Sequence, residues 1–474
     1  MAGQRSGGLY DRAGADPRRR PDGKAEPAMT LYRLAKQARA RIDVPPLPRD
    51  PGPAAWNALL PPPEPAIELS ENTSADWLVV GAGFAGLAAA KRLSQLRPED
   101  RIVLLEGKRV AEGPGGRNSG FMIDLPHDLQ SEDYAGSLEA DRKQTWANRL
   151  AIDFAAQMAA DAGLSQEAFD RCGKINGAAT DKGHQHNLDY AAHLSSLGEP
   201  HELLDADAMR AKTGSDYYTS GLFTPGTAML QPAMYVRGLA QALSSNRVRV
   251  YENSPVTALA PDGSGWRAST PVGSITAPRI ILAVNGLIND FGFFKGRLMH
   301  VFTYGSMTRA MTAEEVERLG GDPIWHLTPA DPVGTTVRRI SGTGGDRLIV
   351  RNRFSFDPEK EVPERRFANI GRDHDRVFRA RFPKLAGLEM EYRWGGRLCL
   401  SPNNVGAFGE VAPGLFSACC QNGLGAAKGT MHGMAAAELA AGTQSDLVDY
   451  LLTEAAPRRV PGGPFAEIGA NALL

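Results

Sequence analysis

Three clusters of residues in this chain have the types and spacing to do chemistry, and all three are built on glycine. The first is Gly81-Ala82-Gly83-Phe84-Ala85-Gly86, a G-x-G-x-x-G run between the apolar Trp77-Leu78-Val79-Val80 and an alanine-rich helical pattern. In such a junction Gly81 makes the tight turn, Gly83 lets a pyrophosphate approach the backbone, and Gly86 lets the helix pack on the strand. Phe84 and Ala85 lie in the first turn of that helix, where free N–H groups and the positive dipole end meet phosphate oxygens. About 20 residues past the last glycine, the apolar Ile102-Val103-Leu104-Leu105 ends in Glu106-Gly107, where an acceptor for ribose hydroxyls belongs. That acid disfavours a 2′-phosphate, so NADP is the weakest candidate. A lone glycine motif would carry little in a chain with 52 glycines; strand, glycines, helix, second strand and acid together specify a dinucleotide site.

The second cluster, Gly113-Pro114-Gly115-Gly116-Arg117-Asn118-Ser119-Gly120, follows the ribose acid too closely for an ordinary surface turn. It reads as backbone wrapped round a cofactor, with Arg117 and Asn118 as polar contacts. The third is Gln421-Asn422-Gly423-Leu424-Gly425, which a short strand, Leu415 to Cys420, delivers to the start of a small-residue helix ending near Ala441. A second helix N-terminus can there meet electron-rich cofactor atoms.

The elements that must position these clusters can be read in outline. Residues 1 to about 28 are poor in aliphatic side chains and read as disordered. A proline-punctuated arm follows from Val44 to Pro63, and its Trp56, Leu59 and Leu60 are expected to dock on the body. Helical spacing appears over 135–170, 185–197, 232–243 and 365–381, and an Asp-capped helix after Asp205. Tyr217 to Pro232 reads as loop. Short strands are expected at 175–180, 248–253, 256–259, 266–268 and 273–277, and Arg279 to Val284 reads as a buried parallel strand feeding Asn285-Gly286. Short strands are also expected through 298–390, with Arg338, Arg339, Arg347, Arg351 and Arg353 mostly solvated.

Composition excludes several classes of function. Lys and Arg total 53 against 54 Asp and Glu, so no net field favours nucleic acid or an anionic membrane. No apolar run approaches the roughly 20 residues that span a bilayer, and no apolar segment follows the N-terminal arginines as in a secretory signal. Cys172, Cys399, Cys419 and Cys420 lack metal-ligand spacing, and a reduced, cytoplasmic setting is expected.

Taken in order, the G-x-G-x-x-G with Glu106, the Gly116-Arg117-Asn118-Ser119-Gly120 loop, Ala283-Val284-Asn285-Gly286, and Trp394-Gly395-Gly396-Arg397 with Asn422-Gly423-Leu424-Gly425 resemble the D-amino-acid oxidase-like (DAO) family of FAD-dependent amine oxidoreductases. The likeness runs from about residue 40 to the end and extends to members acting on gamma-glutamyl polyamines. It implies an α/β fold: a Rossmann-like, glutathione-reductase-type FAD domain interleaved with an α+β substrate domain on a mostly antiparallel sheet. The implied division is an extension at 1–40, a docking arm at 41–75, an FAD domain from 76–134, 230–288 and 394–442, a substrate domain from 135–229 and 289–393, and a tail at 443–474.

The resemblance further implies FAD held without a covalent bond. Gly81, Gly83, Phe84, Ala85 and Gly86 would lie at the pyrophosphate, Glu106 and Gly107 at the ribose, and Val256 at the adenine. Gly116, Arg117, Asn118 and Ser119 would lie between pyrophosphate and ring, with Asn285, Gly286, Asn422, Gly423, Leu424 and Gly425 around the flavin. Cys399 does not fall on the position used for covalent attachment in some relatives. Tyr304, His300 and Arg351 are the candidate substrate contacts. The implied reaction moves hydride from a C–H beside an amine nitrogen to flavin N5, with oxygen or another acceptor taking the electrons. A hydroxy-acid or opine dehydrogenase of the same fold and a non-catalytic flavin-binding subunit stay open as alternatives.

Overall fold

The computed structural model describes residues 41–126, 136–331 and 334–460. The expected extension at 1–40 and the end of the expected tail lie outside them. Two large sheets dominate. The first has six strands in the order Val248–Tyr251, Ile102–Leu105, Trp77–Val80, Arg279–Leu282, Leu415–Cys419 and Ala407–Ala412. The first five are parallel and the last is an antiparallel edge. Its central strands are buried along their whole length, as a sheet covered on both faces requires. Helix α1 (Phe84–Leu96) leaves the first strand at the glycine motif, and helix α2 (Gly425–Ala441) leaves the fifth.

These two helices approach each other unusually closely because α2 is made of small residues. A Cβ on Gly433 would sit 2.1 Å from the Ala85 carbonyl oxygen, and one on Gly429 would sit 3.2 Å from the Phe84 Cβ. Helix Leu138–Asp161 adds Ala147, Ala151, Ile152 and Ala155 to the same core.

The second sheet has eight strands, ordered Met390–Leu400, Met299–Thr308, Arg347–Phe356, Thr336–Ile340, Trp325–Pro329, Lys174–Ala178, Ser220–Thr224 and Glu202–Leu204. All its pairings are antiparallel except that of Trp325–Pro329 with Lys174–Ala178. Helix Glu364–Arg381 packs through Ile370 and Phe367 on the face of the second sheet that carries Phe302 and Tyr304. The architecture is the expected Rossmann-like unit interleaved with an α+β unit.

Three local expectations need correction. Tyr217 to Pro232 is not loop: strands Ser220–Thr224 and Ala228–Leu230 flank a turn at Pro225-Gly226. The glycine and proline signals mark that turn alone. The strands between 298 and 390 include two of ten residues, Met299–Thr308 and Arg347–Phe356. Finally, Arg338, Arg339 and Arg347 are buried. Carbonyl oxygens at chain reversals take their protons: Ser119 and Leu230 for Arg338, Gly320 for Arg339, and Thr308 and Gly344 for Arg347. Cationic guanidinium groups are tolerated inside when their fork of donors finds such acceptors.

Candidate active site

A continuous cavity runs from the glycine motif to the face of the second sheet. Its first part is the strand-to-helix junction. Gly81 has φ +101°, and a Cβ there would meet the Ala283 carbonyl oxygen at 2.6 Å, so the turn requires glycine. Gly83 has open space where a Cβ would be, as do Gly113 and Gly425, while a Cβ on Gly115 would lie 3.4 Å from the Gly83 Cα. These glycines form a cradle that side chains would fill. The N-termini of α1 and α2 carry no side-chain cap, leaving first-turn N–H groups available to a ligand.

Glu106 is half-buried beside this cradle. Its carboxylate accepts from the Ala82 N–H at 2.9 Å and the Lys108 N–H at 3.1 Å. Burial nevertheless raises its pKa above the usual carboxylate range, as befits an acceptor that gains when a ribose hydroxyl donates to it. Val256, Gly107 and Leu47 close this end. An open glycine cradle, two uncapped helix ends and a half-buried acid fit an extended dinucleotide.

Of the expected cofactor residues, Gly81, Gly83, Phe84, Ala85, Glu106, Gly107, Arg117, Asn118, Ser119, Val256, Asn285, Gly286, Asn422, Gly423 and Gly425 line the cavity. Gly86, Gly116 and Leu424 do not. A Cβ on Gly86 would lie 1.7 Å from the Gly81 carbonyl oxygen, and one on Gly116 would lie 2.0 Å from that of Ala111. Both glycines serve close packing behind the wall. Leu424 is a buried residue at the start of α2.

The polar side chains among them do something other than expected. Arg117 donates to four carbonyl oxygens, those of Glu112, Pro51, Gly395 and Gly52. Asn118 donates to Gly115 O at 2.8 Å and accepts from Gly120 N–H at 2.8 Å, closing its own loop. Asn422, at φ +48°, accepts from Ser401 N–H at 2.7 Å and donates to Val405 O at 2.9 Å. A glycine-rich wall has few side chains to hold it, so its polar ones fix its shape and present backbone to the ligand.

The far wall comes from the second sheet. Alternation on its strands puts Thr303 and Gly305, Ile349 and Arg351, and Trp394, Gly396 and Leu398 on the cavity face. Tyr304 points the other way. Its ring stacks on Phe302 and packs against Phe367, and its hydroxyl is bonded to Ser355 Oγ at 2.5 Å, which donates to Asp357 at 2.5 Å. Tyr304 borders the cavity as part of its strand, while its functional group lies behind the sheet. His300 Nε2 contacts Asn289 Oδ1 at 3.2 Å, and burial lowers its pKa to about 4, so it is neutral near pH 7. Arg351 has its side chain on the cavity face of the sheet, its guanidinium 4.6 Å from the centre of the Phe354 ring, and the His300 ring lies at the cavity beside Gly286.

Asp290 and the arm residues Val44, Pro45 and Leu47, which the sequence reading gave no site role, lie on the cavity wall, as do Trp394 and Arg397 of the Trp394-Gly395-Gly396-Arg397 motif. Cys399 lies there too, its thiol 3.2 Å from Asn285 Oδ1. Trp394, Arg397 and Cys399 come from the single strand Met390–Leu400, whereas Asp290 and the arm residues come from separate segments that no local spacing ties to the glycine motifs.

The family model for FAD-dependent oxidoreductases, DAO, matches residues 76–439. The chain belongs to the DAO family of FAD-dependent oxidoreductases. The chain is 25% identical over 421 residues to the probable oxidoreductase OrdL of Rhizobium meliloti (strain 1021), covering 85% of this chain and 92% of that one. It is likewise 25% identical over 420 residues to gamma-glutamylputrescine oxidoreductase of Escherichia coli (strain K12), covering 86% and 93%. Among solved structures, glycine oxidase from Geobacillus kaustophilus superposes with a TM-score of 0.65 at 18% identity, over 82% of this chain and all of that one. As in other DAO members, FAD is the cofactor; Glu106, the α1 N-terminus and the open glycines are the groups here that would hold it. No helix among the described residues is long and apolar enough to cross a membrane.

Proposed function

We propose that this DAO-family enzyme oxidises the C–N bond of a small amine or amino acid that carries a carboxylate, as a gamma-glutamylated amine or a simple amino acid does. The observation that carries the reading is Arg351, a cation on the cavity face of the second sheet beside Ile349, Gly305 and Trp394. A guanidinium there offers paired donors to a carboxylate, while the apolar neighbours exclude water and favour the neutral, reactive form of an amine. The two acids on the wall are otherwise occupied: Glu106 sits at the ribose end, and Asp290 is paired with Lys360. Substrate orientation therefore falls to Arg351. Bound FAD supplies the hydride acceptor and passes the electrons to oxygen or another acceptor. The similarity to gamma-glutamylputrescine oxidoreductase supports an amine donor.

The test is anaerobic bleaching of the flavin by a panel of amino acids, gamma-glutamylated amines, carboxylate-free amines and 2-hydroxy acids. Carboxylated amines should bleach it fastest. Bleaching by hydroxy acids alone, or equally by amines without a carboxylate, overturns the proposal.

A further inference from the structure

The family match begins at residue 76, yet the arm ahead of it lines one end of the flavin cavity and holds residues along its rim. Val44, Pro45 and Leu47 line the ribose and adenine end, where the Leu47 side chain reaches to 2.5 Å of the place a Cβ on Gly107 would take. Asp50 lies next, its side chain 2% exposed, between Lys108 Nζ at 2.7 Å and Arg397 Nη2 at 3.0 Å. Lys108 follows the ribose acid, and Arg397 belongs to the second sheet, so this one carboxylate joins the two units across the cavity. The Pro51 and Gly52 carbonyls hold Arg117, and Gly395 N–H donates to Pro51 O at 3.0 Å. Trp56 ends the contact, fully buried, donating from Nε1 to Asn118 O at 2.8 Å.

Two features argue against a merely passive tether. Arg397 lines the cavity, and its Nη1 has no hydrogen-bond partner, although a buried guanidinium ordinarily satisfies its donors. The ion pair with Asp50 fixes the position of that guanidinium beside the cavity. Moreover, Leu47 is 36% exposed, so its contact contributes little to a core and lies over the cofactor cleft.

We propose that residues 44–56 form the closing wall of the flavin site, with Asp50 as the positioning residue that sets Arg397 as a cofactor contact. Arm docking and FAD binding are then coupled: each stabilises the other. The experiment uses apoprotein and FAD alone, so its outcome is independent of the substrate. FAD affinity is titrated by flavin fluorescence for the wild type, Asp50→Asn and Leu47→Ala, and tryptic cleavage after the exposed Arg49 is timed with and without FAD. Asp50→Asn should weaken FAD at least about tenfold, as expected when a buried charge loses its partner, and Leu47→Ala about threefold, the contact being half exposed. FAD should slow cleavage of the wild-type arm about tenfold, by mass action on the docked state. Affinities within twofold for both variants, or cleavage at one rate with and without FAD, overturn the proposal. Should Asp50→Asn fail to fold, Leu47→Ala and the cleavage rates decide it.

Discussion

The two walls of the cavity are built by opposite strategies. The nucleotide wall comes from contiguous chain: a strand, a six-residue glycine motif and a helix, closed by an acid at the end of the neighbouring strand. The ring-side wall comes from three strands, Met299–Thr308, Arg347–Phe356 and Met390–Leu400, and from the arm around Asp50. In the first wall function depends on the absence of side chains. In the second it depends on which of two faces each side chain takes. A contiguous motif tolerates almost no change, whereas a composite wall can be altered one contact at a time.

That contrast is sharpest at Gly86. A Cβ there would lie 1.7 Å from backbone, so Gly86→Val should cost about 3 kcal/mol or more through overpacking. The purified variant is expected to be poorly soluble and flavin-free, as absorbance near the flavin maximum would show. A soluble, yellow Gly86→Val protein would break the comparison.

Arg351→Met tests the second wall. The variant should keep its flavin and lose about 100-fold in kcat/KM for carboxylated amines, matching the roughly 3 kcal/mol of a charge-assisted hydrogen bond. Steady-state kinetics with paired substrates, with and without the carboxylate, measures it. An equal loss for both would place Arg351 in the frame of the sheet.

The sheet that carries this wall also has a pH limit. His374, buried in helix Glu364–Arg381, contacts Ser306 Oγ at 2.7 Å through Nδ1, and burial lowers its pKa to about 4. Its folded pKa lies below the unfolded value of about 6.5. Protonation therefore favours the unfolded chain, and the contribution is complete above pH about 6.5 and falls away toward pH 4, by up to about 3 kcal/mol. Urea unfolding of the apoprotein at pH 7 and pH 4.5 should show the loss, and His374→Asn should reduce it. Burial also lowers His432 on α2 to about 3 and His300 on the second sheet to about 4, so part of the slope should persist in that variant.

The smallest effect is expected at Tyr304. With its hydroxyl on Ser355 behind the sheet, Tyr304→Phe should change kcat/KM less than about fivefold, the loss of one neutral hydrogen bond of about 1 kcal/mol. A loss of two orders of magnitude would show that the hydroxyl turns into the cavity during turnover.

Much of the first wall was legible because its geometry is local. Gly81, Gly83 and Glu106 lie in one strand–helix–strand unit, and their spacing alone carries the reading. Legibility ended where a residue's role depended on its partners. Arg117 and Asn118 were expected to hold the cofactor, and they line its cavity, but their side chains bind carbonyl oxygens from the arm, the sheet and their own loop. Arg338 looked like solvated surface and is buried over the Trp56 ring at 4.9 Å. In Tyr304 and Arg351 the difference is strand parity, set by the pairing of Tyr304 with Asn352 and of Gly305 with Arg351 just past a bulge between Thr303 and Tyr304.

The sequence by itself determined the cofactor class, since a glycine-lined turn at a helix N-terminus with a ribose acid is chemistry written in neighbouring residues. It also determined that the arm docks, since Trp56 and its aliphatic neighbours cannot remain in water at no cost. Only the tertiary structure decided which residues face the cavity from the second sheet, that Asp50 bridges Lys108 and Arg397, and that His300 is neutral. Those properties follow from register, from long-range pairing and from desolvation, and a single chain of letters specifies each of them only once it has folded.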